Sequence, residues 1–167
     1  MNLEEYKGVF VFAQQVDNEI SGIAFELIGK GKDLAKDLNT EVTAVLIGSG
    51  VKGLADELAA YGADRVIVVD DPELKDYRTE PYTHALASVI NQYKPEIMLI
   101  GATAIGRDLG PRCAATLHTG LTADCTHLDV DVEKYKAFLK TTSTMDVDNM
   151  KFDEGTHLKM TRPAFGG

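Results

Sequence analysis

Short apolar runs alternate with helix-like segments through the first 130 residues of the chain. The runs are apolar at nearly every position, as in strands that are buried on both faces of a sheet. They cover residues 8–13, 41–47, 65–69 and 96–101. Because successive parallel strands need a crossover helix between them, the alternation predicts an α/β fold with a doubly wound, mostly parallel sheet.

Apolar residues three and four positions apart predict a helix after each run. Ser21 is a suitable N-cap for the first helix, and Gly62 can end the second in a left-handed conformation. The predicted helices cover residues 23–38, 51–62, 79–94 and 108–118, and a fifth strand is predicted near 121–130.

The pattern changes after residue 130. Residues 135–144 and 156–162 read as extended segments joined by the acidic loop Asp146–Asn149. We therefore predict an α/β domain at 1–130 and an antiparallel strand extension at 131–167. The abrupt end at Phe165-Gly166-Gly167 favours a longer parent protein with a further domain.

The charge balance argues against several classes of partner. The net charge is −9, from 26 acidic and 17 basic residues, so the chain repels nucleic-acid backbones and anionic lipid. No apolar stretch approaches the length of a membrane span, and two cysteines are too few for a disulfide framework. We expect a cytoplasmic protein with neither a nucleic-acid nor a membrane partner.

The most conspicuous short motif is Gly48-Ser49-Gly50-Val51-Lys52-Gly53, a formal G-x-G-x-x-G after a strand. Asp70, at the end of the next strand, stands at about the spacing of a ribose-binding acid in nicotinamide-dependent enzymes. The alternative is an ordinary tight turn in which glycine allows positive φ. The motif follows the second strand and not the first, which favours the ordinary turn.

A second candidate is the loop and helix at 101–117, GATAIGRDLGPRCAATL. Gly101 and Gly106 allow close backbone approach, Asp108 can cap the helix, and Arg107 and Arg112 offer forks for carboxylate or phosphate. Alternatively, Asp108 and Arg112 pair with each other, four residues apart on one face. Weak candidates for cofactor contacts are Gly101, Thr103 and Arg107.

The same loop is similar to the phosphate-binding turn of universal stress proteins. Its glycines follow the spacing Gly106-x3-Gly110-x9-Gly120, but the first gap is one residue too long and Leu121 replaces the final hydroxyl residue. That departure argues against direct ATP binding. A stand-alone adenine-nucleotide-binding module of this type remains the alternative function.

Metal and catalytic sites are not predicted. The metal-ligand types Cys113, His118, Cys125 and His127 follow no standard zinc spacing. Cys113 falls on an apolar arc with Leu109, Thr116 and Leu117 and reads as a core residue. We find no nucleophile elbow, P-loop, catalytic triad or acid–base pair, so no enzymatic activity is expected.

The stretch 98–126, MLIGATAIGRDLGPRCAATLHTGLTADCT, resembles the alpha subunit of electron transfer flavoproteins. Residues 62–66, GADRV, and the closing 161–167, TRPAFGG, resemble further segments of that family. The resemblance covers essentially the whole chain. The resemblance implies that residues 48–53 form an ordinary turn after a strand and not a nicotinamide-cofactor site.

The resemblance implies an amino-terminal α/β domain of the adenine nucleotide alpha hydrolase-like or Rossmann-like three-layer type. In that family FAD lies on a carboxy-terminal domain, and some bacterial members bifurcate electrons from NADH with a second FAD on the beta subunit. The heterodimer carries electrons from acyl-CoA dehydrogenases and similar enzymes. This chain would itself bind no FAD and would dock the beta subunit.

The resemblance, together with residue chemistry, implies structural and interface roles for the signature residues. Arg107 and Arg112 would point toward the subunit contact, and Arg162 would orient the ribbon before the flavin domain. The other roles are loop shaping by Gly101 and Gly106, helix capping by Asp108, helix termination by Thr119 and Gly120, and anchoring of the next strand by Asp124.

Overall fold

The computed structural model of the chain describes residues 3–152 and 158–163. In chain order, the strands are β1 (Val9–Phe12), β2 (Gln15–Val16), β3 (Glu19–Ile20), β4 (Val42–Gly48), β5 (Arg65–Asp70), β6 (Ile97–Leu99), β7 (His127–Asp129) and β8 (Lys159–Thr161). The helices are α1 (Gly22–Leu38), α2 (Ala55–Ala60), α3 (Thr79–Tyr93), α4 (Ala104–Leu117) and α5 (Val132–Thr142), with short 3-10 helices at Leu3–Glu5, Lys52–Leu54 and Pro72–Leu74. None of the helices in the described ranges is both long and apolar enough to cross a membrane.

Four parallel strands form the central sheet in the order β5-β4-β1-β6. The chain builds outward from β1 through β4 to β5 and then returns to place β6 on the other side of β1. Strand order therefore reverses between β1 and β6, as in doubly wound folds. The predicted α/β class and the four predicted parallel strands are confirmed.

Helices cover both faces of this sheet because the side chains of each strand alternate between the faces. On one face, Phe10, Phe12, Val45 and Ile47 belong to a buried cluster with residues of α3 and α4. On the other face α1 packs closely enough that a Cβ at Gly31 would lie 3.3 Å from the Val11 and Val42 side chains.

Four helices end at residues in the left-handed conformation, among them α3 at Lys94 with φ of 49°. After α2, Gly62 has φ +114, and the Ala63 N–H donates to the Leu58 carbonyl at 3.2 Å. This is the bonding of a Schellman cap, and it confirms the predicted left-handed end at Gly62. Asn39 and His118 end α1 and α4 with φ near 50°.

The start of α4 differs from the prediction. The helix begins at Ala104, and Thr103 caps it by accepting a bond from the Gly106 N–H at 3.0 Å. Asp108 therefore lies in the second turn and is not the N-cap. Gly106, which lies in the missed turn at 104–107, weakens helix propensity, and this hid the first turn from a prediction based on composition.

The inward arc of α4 was predicted correctly only in part. Leu109 and Cys113 are buried in the core, as predicted. Thr116, which was placed on the same apolar arc, is exposed and donates its hydroxyl hydrogen to the Arg112 carbonyl at 2.9 Å. Bonding to a carbonyl four residues earlier satisfies a hydroxyl on a solvent-facing helix surface.

The chain forms two compact units, Met1–Leu121 and Thr122–Gly167. In the second unit β7 and β8 pair antiparallel, with His127 opposite Thr161 and Asp129 opposite Lys159. The strand predicted near 121–130 thus exists at 127–129, but it joins this ribbon and not the parallel sheet.

The predicted extended segment at 135–144 is wrong, because residues 132–142 form α5. Asp131 caps the helix by accepting from the Lys134 N–H at 2.8 Å, and Leu139 is buried. Tyr135 and Phe138 stack along one helix face, a spacing of three that the extended interpretation overlooked. Of the other predicted segment, 156–162, residues 158–162 are described and include β8, whereas 156–157 lie outside the described residues.

Two glycine-to-alanine substitutions test the packing of α4 on the end of β6. A Cβ at Gly106 would lie 1.8 Å from the Gly101 carbonyl oxygen, so Gly106→Ala should destabilise the fold by about 3 kcal/mol or more. Gly29→Ala, in the middle of α1 with open space around it, is the matched helical control and should stabilise by about 0.5–1 kcal/mol. Urea unfolding of both variants measures the difference; equal effects would contradict the contact.

Candidate functional site

The candidate site is the switch-point crevice, which we define as residues 13–21 after β1 and 100–106 after β6. In open α/β sheets, ligands bind beyond the carboxyl ends of the strands at the point where strand order reverses. The adjoining turn after β4, residues 48–53, extends the same edge of the sheet. These segments contain the short motifs that suggested nucleotide binding.

The connection after β1 is a hairpin and not a glycine-rich loop. β2 pairs antiparallel with β3, and Asp17 and Asn18 between them have φ of 52° and 60°. Two consecutive residues with positive φ form the tight turn that suits a two-residue hairpin. The Asp17-Asn18 pair between Val16 and Ile20 was the sequence signal for it, which the prediction of one strand followed by a helix missed.

Gln14 joins the two sides of the crevice. Its Oε1 accepts a hydrogen bond from the Thr103 hydroxyl at 2.5 Å, and its Nε2 donates to the Ser21 hydroxyl at 3.3 Å. The Thr103 oxygen also accepts from the Gly106 N–H. Thr103 was a weak candidate for cofactor contacts. Its hydroxyl instead caps α4 and bonds Gln14.

Gln15 fills the space beside the end of β4. The residue is only 8% exposed, and its Nε2 donates to the Ile47 carbonyl at 3.1 Å. The Asn18 N–H donates to Gln15 Oε1 at 3.0 Å, which fixes the hairpin turn to the same side chain. A Cβ at Gly48 would lie 2.7 Å from Gln15 Nε2, so glycine at this position admits the glutamine.

Asp70 occupies the turn that had suggested a dinucleotide. Its two carboxylate oxygens accept from the Gly50 N–H at 2.7 Å and the Val51 N–H at 3.0 Å. These backbone bonds, above all that from Gly50, hold the pKa of the carboxyl below its ordinary value. The amides that would meet a phosphate thus bind an internal carboxylate, and Asp70 is not directed at a ribose.

Close contacts explain the two glycines at the start of α4. A Cβ at Gly101 would lie 2.5 Å from a carbon of the Ile23 side chain, and the space at Gly106 is closed by the Gly101 carbonyl. Both residues are buried. A side chain at position 106 would push α4 away from the end of β6, and a side chain at position 101 would push α1 away from the crevice.

The side chains of Asp108 and Arg112 join α4 to α3 and its preceding loop, in a set of contacts that we call the α3–α4 clasp. Asp108 accepts from the Tyr77 and Thr79 hydroxyls, both at 2.6 Å. The two hydrogen bonds lower the pKa of Asp108, and the bond from Thr79 has the larger effect. Burial raises the pKa of Tyr77. Arg112 binds Glu80 at 2.7 Å, so the alternative of an Asp108–Arg112 pair is wrong.

The remaining predicted residues lie at the surface. Arg107 is exposed in the first turn of α4, and its N–H donates to the Thr103 carbonyl. The Thr119 N–H closes α4 by donating to the Ala114 carbonyl at 3.0 Å, and the exposed Gly120 follows. In the second unit Asp124 is exposed with φ of 54°, and Arg162 is exposed after β8.

Two of the candidate metal ligands, Cys113 and His127, have other partners. The Cys113 thiol is buried and donates to the Thr83 carbonyl at 3.9 Å, and burial raises the pKa of the thiol to about 11. His127 bonds Asp129 at 2.6 Å and stacks on Phe138 with ring centroids 3.6 Å apart. Within residues 3–152 and 158–163, no three His, Cys, Asp or Glu residues form a metal-binding group.

Comparison with known proteins gives consistent matches along the chain. The electron transfer flavoprotein domain family matches residues 9–167. Acryloyl-CoA reductase electron transfer subunit beta of Anaerotignum propionicum is 53% identical over 99% of this chain and 46% of its own length. Electron transfer flavoprotein subunit alpha of Clostridium acetobutylicum is 46% identical over 100% of this chain and 44% of its own length.

A third relative has a different name. Lactate dehydrogenase (NAD(+),ferredoxin) subunit LctC of Acetobacterium woodii is 41% identical over 97% of this chain and 34% of its own length. The chain therefore spans less than half of the length of each of these three relatives. The family resemblance found in the sequence is confirmed.

At the switch-point crevice and the adjoining turn, three amides that could bind the pyrophosphate of a flavin dinucleotide already have internal partners. The Gly50 and Val51 amides hold Asp70, the Gly106 amide holds Thr103, and Gln15 fills the space beside Gly48. A pyrophosphate would have to displace these internal partners. Among the described residues of this edge, these polar groups are therefore used in contacts within the chain.

Acid titration of Asp70→Asn tests the internal carboxylate. Because the pKa of Asp70 is lowered in the folded state, its bonds stabilise the fold above the ordinary pKa of about 3.9 and are lost as pH falls through the lowered value. We expect the free energy of unfolding to fall more steeply in the wild type than in Asp70→Asn between about pH 5 and pH 2. Asp108 and Asp148, whose pKa values are also lowered, are common to both proteins. Parallel curves from chemical denaturation would contradict the assignment.

Proposed function

The chain belongs to the electron transfer flavoprotein domain family, and on this premise we propose that it is the alpha-type base domain of a heteromeric electron transfer flavoprotein. In this role it docks a beta-type subunit. The match over residues 9–167 carries the proposal, and relatives named as subunits of electron transfer or reductase complexes support it. The domain itself is a non-catalytic part of an electron carrier.

Redox chemistry is housed elsewhere in this proposal. FAD lies on a carboxy-terminal domain that follows the 131–167 extension, and a further FAD lies on the beta subunit; this chain alone binds none. The internal contacts of Gln15 and Thr103 in the crevice, and of Asp70 in the adjoining turn, support this division of labour. In this role the base, residues 1–130, orients the parts of the complex and provides the surface that contacts the beta-type subunit.

The redox partners are acyl-CoA dehydrogenases or similar enzymes. The reductase relative, named for acryloyl-CoA, supports an acyl-CoA-linked partner. The relative named as an NAD(+)- and ferredoxin-dependent lactate dehydrogenase subunit supports NADH-linked bifurcation as a second possibility for the parent complex.

The exposed side of α4 is the proposed contact with the beta subunit. Arg107 is exposed there, directly before Asp108 of the α3–α4 clasp. Arg112 is held by Glu80, so its guanidinium is oriented before any partner arrives. Arginine is enriched among the residues that dominate binding energy at interfaces.

A stand-alone adenine-nucleotide-binding module is the competing function. It would use the turns after β4 and β6 for phosphate. Both turns already bond to internal groups: Asp70 in the first and Thr103 in the second. The observation that distinguishes the two functions is thus the accessibility of those amides.

Substitution of Arg107 tests the docking face. Arg107→Ala should weaken the complex with the complementary beta-type subunit about fivefold or more, as expected for loss of an interface arginine worth about 1 kcal/mol. Lys36→Ala, which removes an exposed charge from α1 on the other face of the sheet, is the matched control. Biolayer interferometry measures both affinities. Unchanged affinity for Arg107→Ala would remove its interface role.

Calorimetric titration with AMP and ATP tests the competing function. We expect no stoichiometric heat from the isolated chain, because a phosphate would have to displace Asp70 or Thr103 from the turn amides. Binding of either nucleotide in the micromolar range would instead favour the stand-alone module.

A further inference from the structure

The outer strand β5 presents an unprotected edge. It pairs with β4 on one side over six residue pairs, and no strand in the described part of the chain pairs with its other side. Its four apolar residues, Val66 to Val69, are all half-exposed. At the opposite end of the sheet β6 has only three residues, and Ile97 and Leu99 are buried there.

The outward backbone groups of β5 can be assigned from its pairing. The Asp71 N–H donates to the Gly48 carbonyl at 3.0 Å. In a parallel ladder alternate residues direct their N–H and C=O groups to the same neighbour, so Ile67 and Val69 also face β4. The N–H and C=O groups of Val66 and Val68 therefore point away from the sheet.

Natural proteins block such edges with proline, lysine, bulges or short strands. β5 has none of these between Val66 and Val69, and every residue there is β-branched. Charges occur only near its ends, as Arg65 at the first position and Asp70 and Asp71 at the end. This pattern favours strand addition and sets opposite charges at the two ends of the strand.

We propose that β5 pairs antiparallel with β5 of a second copy of this chain. A twofold axis at Val68 pairs the outward backbone groups of both copies and places Arg65 opposite Asp71 of the second copy. Both residues lie on the same face of the strand, since six positions separate them, as directly opposed residues must. Because a twofold interface is self-complementary, two such ion pairs form.

The two charged residues are available for this contact. The Arg65 side chain is 55% exposed and lies 3.6 Å from Glu41, a loose surface pair that gives little stability. Asp71 is exposed and has extended backbone, with φ −145° and ψ 140°, so the strand conformation continues to it. Its carboxylate bonds the Glu73 N–H and has lone pairs left for a guanidinium.

The predicted association is weak. One pair of six-residue strands buries less than the roughly 1,200 Å² of a stable protein–protein interface. We therefore expect the chain to be monomeric when dilute and dimeric when concentrated. This inference concerns the free edge of the sheet and does not depend on the proposed redox role.

A charge-swap series tests the register by sedimentation equilibrium of the full chain. The wild type should rise with concentration from the 18.1 kDa monomer toward twice that mass. Arg65→Glu and Asp71→Arg should each raise the dimer dissociation constant about fivefold or more, and the double swap should restore it. Glu41→Gln removes only the Arg65 pair within the chain and should dimerise like the wild type.

Asp71→Asn is included because asparagine can still cap the short 3-10 helix at 72–74 while losing the charge. It should weaken the dimer without lowering the thermal unfolding midpoint, which shows that the fold is intact. A wild type that stays at 18.1 kDa at all concentrations would overturn the proposal, as would single reversals that dimerise like the wild type. Association with another protein through this edge by a monomeric wild type would also overturn it.

Discussion

The contact between the first turn of α4 and the end of β6 is the constraint on which the candidate site depends. The Gly101 carbonyl occupies the space where any side chain at position 106 would begin. With α4 this close, the Thr103 hydroxyl can cap the helix and still bond Gln14 after β1. The two strands at the switch point are thereby joined by side chains, and α4 is oriented so that Asp108 and Arg112 meet α3 and its preceding loop.

The carboxyl edge of the sheet is consequently satisfied by its own residues. The Asp70 carboxylate does for the turn after β4 what a phosphate does in nucleotide-binding relatives of this architecture: it accepts from amides that are otherwise unpaired. Gln15 fills the neighbouring space from the hairpin side. Amides at this edge that could bind a phosphate already have internal partners, whereas α4 keeps an exposed surface. This arrangement accords with the proposed role of the fold as a base within a larger electron carrier.

Much of this architecture was predictable because it depends on local patterns. The parallel strands at 9–12, 42–48, 65–70 and 97–99 were predicted from their apolar runs, and the family signature at 98–126 identified the family. The partners of Asp70, Gln14 and Gln15 were not predictable from local patterns. The long-range bonds of these residues reach groups 19 to 89 positions away, which only the fold brings near. The start of α4 was hidden by Gly106, a poor helix former in its first turn, and α5 by aromatic residues that suit either a helix or a strand.

The most direct test of the account is the visible absorption spectrum of the purified chain, recorded alone and after mixing with its complementary beta-type subunit. The account predicts a colourless chain that retains no flavin when FAD is added and then removed by gel filtration, yet elutes together with the beta-type subunit. A chain that holds FAD by itself, with the absorption bands of a bound flavin near 1:1 stoichiometry, would contradict it.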